Sequence, residues 1–427
     1  MTATLLSIGD ELLIGQVVNT NAAWLGEQLS ALGIAVRRME VVGDEAAEIR
    51  RELRRALGET DLVIITGGLG PTHDDITKRA VADELDRPLE FRDELMDEVR
   101  RKFEGRGRRM SESNRQLAEV PAGFEALANP VGTAPGLWFE GEVDGATRSL
   151  VILPGVPHEM RTLMQEAVLP RLTARNGDVA LAQKTLLTVG RGESDLADAL
   201  GSYADRLGPS LRLAFLPNYG VVRLRITALG EARTEAEARL ADFETYVRER
   251  IGEHVFGEGD DTLEAAVGRM LRERGLTLAT AESCTGGLLS HRLTNIPGSS
   301  AYYCGGAVVY GNSQKIVLLD VDESSLYRDG AVSEAVAKQL AEGVRARLNA
   351  DLGIATTGIA GPGGGTPRKP VGTVWIGYAD EHGPYAVRLQ FTNDRLLNKR
   401  LSVTAALAIL RRQLLRRDRL AETSANS

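Results

Sequence analysis

Two cysteines in 427 residues, Cys284 and Cys304, are too few for a disulfide framework or a four-thiolate zinc site, and they fit a reducing compartment. Five histidines leave little for a histidine-rich metal centre. No apolar run approaches the roughly 18 residues of a membrane span. The N-terminal MTATLLSIGDELLIG has no basic flank before its apolar stretch, so it reads as a first strand and not as a signal peptide. Positive excess is missing too: a net charge of −8 argues against a protein built to coat nucleic acid. A cytoplasmic protein with no membrane attachment is therefore expected. What is present is an ordinary globular mixture, 43% hydrophobic and 26% charged, in a chain too long for one core.

The first third alternates apolar runs with amphipathic stretches. ATLLSI (3–8), VRRMEVV (36–42), DLVIIT (61–66) and SLVILP (149–154) read as buried strands, with helical spacing over 21–32, 44–58, 74–85 and 157–169. That alternation predicts a parallel sheet covered on both faces, with ligands at the carboxyl ends of its strands. From about 171 the pattern changes to KTLLTVG (184–190), a helix near 193–207, two strands, and a long charged helix over 231–251. This α+β order is KH-like, but the loop reads GRGE (190–193) and lacks the GXXG clamp for a nucleic-acid backbone, so a structural or dimerising spacer is the simpler reading. GEGDD (257–261) marks a boundary to a second α/β core, and the terminal RRDRLAETSANS reads as a frayed tail. The expected organisation is thus α/β throughout: residues 1–170 and 258–415 as α/β domains, 171–257 as a small KH-like α+β module joining them, and 416–427 as tail.

TAESCTGG (280–287) is the most informative stretch. Ser283 leaves an apolar strand, and Gly286 and Gly287 open the next helix, where backbone N–H groups are able to stabilise an oxyanion. Read alone, the pattern equally suits a helix cap by Ser283 or Thr285. A nucleophilic serine also needs a base. His291 falls inside the helix, whereas YGNSQK (310–315) places Tyr310 at a strand end and Lys315 a turn later; a lysine in a dry cleft loses its proton near neutral pH, which permits a Ser–Lys dyad. TTGIAGPGGGTPRKPVG (356–372) then supplies a loop, including Gly361, that lets backbone approach a phosphate, and Thr357 at its strand end is placed to hydrogen-bond the dyad or substrate. No GK[ST] ends it, so it is not a Walker A loop.

Near the N-terminus, SIGDELLIGQVVNTNAAWL (7–25) and TGGLGPTHDDITKRAVADEL (66–85) also begin at strand ends. The expected pocket is lined by Asp10, Glu11, Asn21, Thr66, Gly67, Gly68, Gly70 and Asp75. The glycines offer N–H groups to an anion. The acids, Asp74 among them, suit a divalent ion such as magnesium, with Asp10 and Asp75 as ligands; Asp74 and Asp75 also suit a helix N-terminus without any metal.

The segments TAESCTGGLLSHRLTNIPGSSAYYCGGAVVYGNSQK, GAVSEAVAKQLAEG, TTGIAGPGGGTPRKPVGTV and FTNDR resemble, in order and over about 258–412, the C-terminal domain of the CinA family and its stand-alone relatives, the nicotinamide-nucleotide amidases. The resemblance implies hydrolysis of nicotinamide mononucleotide to nicotinate mononucleotide and ammonia without a cofactor. It makes Ser283 the nucleophile and Lys315 its base, with Tyr310 and Thr357 lining the site and Arg395 on the phosphate. Two positions depart from the family pattern: Asn393 stands where glycine is usual, and Lys399, followed by Arg400, where a second arginine is common. Lysine keeps the charge and loses the bidentate fork, which leaves open which cation holds the phosphate. The N-terminal motifs, with NPVGTAPGLW (129–138) and LPGVPHEM (153–160), resemble the CinA N-terminal domain, similar to the molybdopterin-binding MoaB/MogA fold over about 1–170, and imply metal-requiring ADP-ribose pyrophosphatase activity.

The resemblance also implies a homodimer that handles small nucleotides. A molybdopterin-handling enzyme and a non-enzymatic adaptor in DNA uptake or recombination are the competing readings. The first rests on the N-terminal resemblance alone. The acidic charge and the GRGE loop weigh against direct DNA contact in the second, and no residue pattern supports a recombination-protein contact.

Overall fold

The computed structural model describes residues 1–72, 75–105, 107, 110–176 and 180–425, with side chains as far as Arg419. The chain divides into two units, Met1–Ala182 with Gly230–Ala236, and Gln183–Leu229 with Glu237 to the C-terminus.

In the first unit, β1 (Thr2–Ile8) lies between β2 (Ala35–Val42) and β3 (Leu62–Thr66), all parallel. A short pair, β4 (Leu89–Phe91) and β5 (Glu119–Pro121), stands apart. β6 (Glu125–Leu127), β7 (Gly136–Val143) and β8 (Ala146–Leu153) complete a sheet of order β2-β1-β3-β8-β7-β6. Because side chains alternate along a strand, β1 and β3 serve two cores. Leu6, Ile8, Val63 and Ile65 pack on one face with helix Ala46–Glu59; Leu5, Leu62 and Ile64 pack on the other with helix Thr20–Ala31. The four strands expected from sequence, β1, β2, β3 and β8, run parallel as expected, and the sheet is extended by β7, which runs antiparallel to β8. The reason is a two-residue hairpin at Asp144-Gly145, both at positive φ, a turn whose Asp-Gly signal went unread.

The second unit holds two sheets. β9 (Leu181–Val189), β10 (Leu211–Asn218), β11 (Val221–Leu229) and β12 (Val255–Glu258) form an antiparallel sheet of order β10-β11-β9-β12 under helices Glu193–Leu200 and Arg233–Ile251. The helix expected over 193–207 stops at Leu200, where Gly201 turns the backbone to φ 63. β13 (Leu278–Glu282), β14 (Tyr303–Val308), β15 (Leu352–Gly358), β16 (Thr373–Asp380) and β17 (Gly383–Gln390) form the other sheet, of order β14-β13-β15-β16-β17. Its first three strands are parallel and its last two antiparallel. Helix Glu334–Arg347 lies so close that a Cβ on Gly353 or Gly377 would collide with its backbone, at Ala341 and Ala337 respectively. Among the described residues no helix is long and apolar enough to cross a membrane.

The frayed tail is also corrected. The last helix runs from Arg395 to Ala425. Arg417 donates to Glu381 at 2.6 and 2.7 Å and to Asp380 at 3.2 Å, and Arg274 holds Asp418 at 2.9 Å. The Arg417 guanidinium holds the Glu381 carboxyl at about 2, well below its usual range. The Arg417 pairs tie the helix end to the β16–β17 turn, and the Arg274 pair ties it to the end of helix Leu263–Glu273. Truncation after Leu415 is expected to cost about 1–2 kcal/mol in urea unfolding; an unstructured tail would leave the midpoint unchanged.

Candidate active site

Strand register assembles the C-terminal site. Glu282 stands opposite Val308 on one side and Thr356 on the other, so the next residues, Ser283, Val309 and Thr357, share one level at the carboxyl edge. Two further ladder bonds hold that level: Ser283 N–H to Thr356 O at 2.9 Å and Val309 N–H to Glu282 O at 2.8 Å. Ser283 is 9% exposed. Lys315, on helix Asn312–Leu319, folds back and donates from Nζ to Val309 O at 2.8 Å and Tyr310 O at 3.1 Å. It is buried, and burial pushes its pKa down. A neutral amine has two N–H bonds and one lone pair. Two carbonyls accept both hydrogens and leave the lone pair for a proton.

The turn after Ser283 differs from expectation. Neither Ser283 nor Thr285 caps the following helix, Leu288–Thr294. The fully buried carboxylate of Glu282 does so, accepting from the N–H groups of Gly287 (2.9 Å), Leu289 (3.0 Å) and Ser290 (2.8 Å) and from the Ser290 hydroxyl (2.6 Å). Gly286 N–H goes to Ser283 O at 3.2 Å. The Gly286 and Gly287 donors expected to face an oxyanion are therefore spent inside the chain. The neighbouring N–H of Thr285 has no acceptor among the described residues, and that of Cys284 reaches only its own thiol. Composition and spacing alone give Glu282 no role. An acid directly before a nucleophile, followed by a Gly-Gly helix start, was the available signal.

The loops place the remaining residues as follows. Arg395 donates to Gly361 O at 2.7 Å and to the Tyr310 hydroxyl at 2.8 Å, which gathers three expected substrate residues. Lys399 Nζ lies 3.7 Å from the position a Cβ on Gly286 would take, so this cation overhangs the nucleophile's turn. Arg400 instead stacks on Tyr219, 4.8 Å from the ring centre. Of the two, Lys399 is the one on the Ser283 side. Thr357 was expected to bond the dyad or substrate, but its hydroxyl donates to Ala331 O at 2.8 Å. Asn398, missed from sequence, is fully buried and pins two loops, donating to Ala360 O at 2.9 Å and Thr392 O at 2.8 Å. A cavity of about 630 Å³ lies at the opposite sheet end, where Asp380, Glu381 and Arg417 pair with one another.

In the N-terminal unit, the ends of β1, β3 and β8 frame a cleft of about 490 Å³ lined by Glu11, Gly67, Gly68, Gly70 and Asp75, as expected, and by Asp44 and Glu159, which were not. Thr66 is buried behind it. Asn21 donates to Gly155 O at 2.7 Å, and its Oδ1 is buried without a partner. The expected metal pair is occupied otherwise. Asp10 accepts from the Asp44 N–H at 3.2 Å while its own N–H donates to Asp44 at 3.0 Å, and Asp75 accepts from Thr72 N–H at 2.8 Å. Among the described residues no group of three His, Cys, Asp or Glu side chains is placed to hold a metal, and Asp74 lies outside the described residues.

Residues 260–414 match the family described as CinA C-terminal domain, 4–174 the probable molybdopterin binding domain, and 183–257 the damage-inducible protein CinA KH domain. The chain is 52% identical to a CinA-like protein of Salinibacter ruber, over 97% of this chain and all of that one. It is 44% identical to a CinA-like protein of Chloroherpeton thalassium and 44% identical to a putative competence-damage inducible protein of Symbiobacterium thermophilum, each over 97% of this chain and 99% of theirs.

The capping role of Glu282 has a measurable consequence. Glu282→Ala leaves three buried N–H groups without an acceptor and is expected to destabilise the domain by about 2–4 kcal/mol in denaturant unfolding. Hydrogen exchange should lose protection at residues 287–290 and keep it in the sheet.

Proposed function

The chain belongs to the CinA family, and on that premise we propose that its C-terminal domain hydrolyses the carboxamide of nicotinamide mononucleotide to nicotinate mononucleotide and ammonia. The observation that carries this reading is the buried Lys315 amine, hydrogen-bonded to two carbonyls at the strand end beside Ser283. The neutral amine takes the Ser283 proton as Oγ attacks the carboxamide carbon. The Thr285 N–H, which has no acceptor among the described residues, and the Cys284 N–H beside it are the donors this reading assigns to the resulting oxyanion. Lys315 then gives the proton to the amide nitrogen, the C–N bond breaks, and ammonia leaves an ester on Ser283. Water, deprotonated by Lys315, cleaves that ester; the proton returns to Ser283 and the acid departs. Arg395 and Lys399 supply positive charge for the phosphate, with Arg395 steadied by Tyr310 and Gly361.

For the N-terminal domain we propose cleavage of the pyrophosphate of ADP-ribose, supported by the cleft's size and its Gly67–Gly70 loop. The described acids do not fit a resident three-ligand metal site, so no metal step is assigned. Released AMP, with and without magnesium, tests this. Asp75→Asn keeps an acceptor for Thr72 and removes the charge, so its loss of turnover would locate the effect in the cleft and not in the turn. Molybdopterin binding without ADP-ribose turnover would transfer the domain to the pterin reading.

Ser283→Ala and Lys315→Met are expected to lower ammonia release by about 10³-fold or more with the fold intact; undiminished turnover in Ser283→Ala would overturn the assignment. Lys315 must be uncharged to act, so kcat rises with pH through its lowered pKa and falls below it. Lys315→Arg, charged at every accessible pH, should be inactive throughout. Arg395→Gln should raise KM more than it lowers kcat.

A further inference from the structure

A second cavity in this unit belongs to neither proposed reaction. It measures about 440 Å³, within the size range of small-ligand pockets. Its walls come from the GRGE loop after β9, the turn after helix Arg233–Ile251, strand β17 and the last helix. The floor is apolar: Val387 and Leu389 of β17 and Ala405 and Ala408 of the helix are only partly covered by the core they adjoin.

The rim is positive. Arg191 of the GRGE loop and Arg412 of the helix have no carboxylate partner among the described residues, in a chain whose net charge is −8. Arg411 is buried between them and the turn, donating to the carbonyls of Glu253 and Val255, each at 2.6 Å. Those two bonds fix the backbone on both sides of His254, whose Nδ1 lies 3.3 Å from Val189 O. Burial and the charges of Arg191 and Arg411 push the His254 pKa down, against the opposing pull of Glu253, 3.5 Å from Nε2. The acid at the rim, Glu253, is 3.9 Å from Arg419.

An apolar floor beneath two guanidinium groups that have no carboxylate partner among the described residues, Arg412 lying beside the Tyr385 hydroxyl, is complementary to a molecule with an apolar body and one anionic head. We propose that this cavity is a binding site for a small carboxylate of that kind, its head held by Arg191 and Arg412 and its body laid on Val387, Leu389 and Ala408. None of these residues touches the Ser283 site, so the proposal stands or falls independently of the amidase.

The test titrates the full-length chain with anilinonaphthalene sulfonate, an apolar ring system with one anionic head. Expected is a saturable signal displaced by octanoate and not by octanol. Arg191→Ala with Arg412→Ala should weaken binding roughly tenfold or more, and Ala408→Trp, which fills the floor, should abolish it, with circular dichroism unchanged. Equal displacement by octanol, or an unaltered double variant, would overturn the proposal. So would sedimentation showing that Ala408→Trp separates paired chains, because the floor would then be covered by a second copy.

Discussion

One buried carboxylate sets the geometry around Ser283. Glu282 ends β13 with no exposure and accepts four hydrogen bonds from the start of the next helix. A charge without water is tolerable only when its lone pairs are fully used, and a helix start offers several donors at once. The chain must therefore curl back on itself between Glu282 and Leu288. Gly286 and Gly287 make that possible at φ 60 and 93. Ser283 sits at the base of the curl, held by Thr356 O, with Thr285 hydrogen-bonded to the Thr356 hydroxyl at 2.6 Å. Local backbone donors that would otherwise compete for substrate are consumed, and the ones left over adjoin the serine.

The lysine half of the site is a desolvation device, and the same chain shows that desolvation alone does not make a base. Lys78, in the N-terminal unit, is also buried, donates to the carbonyls of Gln116 and Glu119, and is pushed down to about 8 by its surroundings. Those carbonyls flank the end of a short turn helix and β5, so Lys78 staples a loop and faces no nucleophile. Lys315 makes the same pair of bonds, but its carbonyls belong to the strand end level with Ser283. What separates a structural amine from a candidate base here is which backbone it is tied to.

This contrast explains how far the sequence could be read. Buried strands such as LVIIT and LATAE are apolar along their whole length, and both sheets were legible from that pattern. Ser283 and Lys315 were legible because strand ends, glycines and a polar residue fall at short spacing. The helix cap was not, since Glu282 looks like any acid until the turn shows which N–H groups it meets. The acceptor of the Thr357 hydroxyl was hidden for a related reason: Ala331 O is supplied by a segment 26 residues away. Asp10 and Asp75 offer a parallel case. Both lie near a cleft, but each is engaged with neighbouring backbone that spacing does not reveal. The tail's polar composition hid ion pairs whose partners are 36 and 144 residues distant.

The last helix joins these local arrangements. Its basic residues each hold a different part of the second unit: Arg395 the Gly361 loop and Tyr310, Arg400 the β10–β11 tip at Tyr219, Arg411 the turn before β12, and Arg417 the β16–β17 turn. At about 1.5 Å per residue, these anchors span roughly 33 Å of one rigid rod. A rod tied at so many places cannot slide or rotate without breaking several bonds together. Lys399 inherits that rigidity, one turn from Arg395, and so does the position of its charge over Gly286. The loss of the arginine fork at this position is thereby offset. A lysine contributes a point charge and not a shape, and a point charge serves a phosphate well when the backbone carrying it is fixed at both ends.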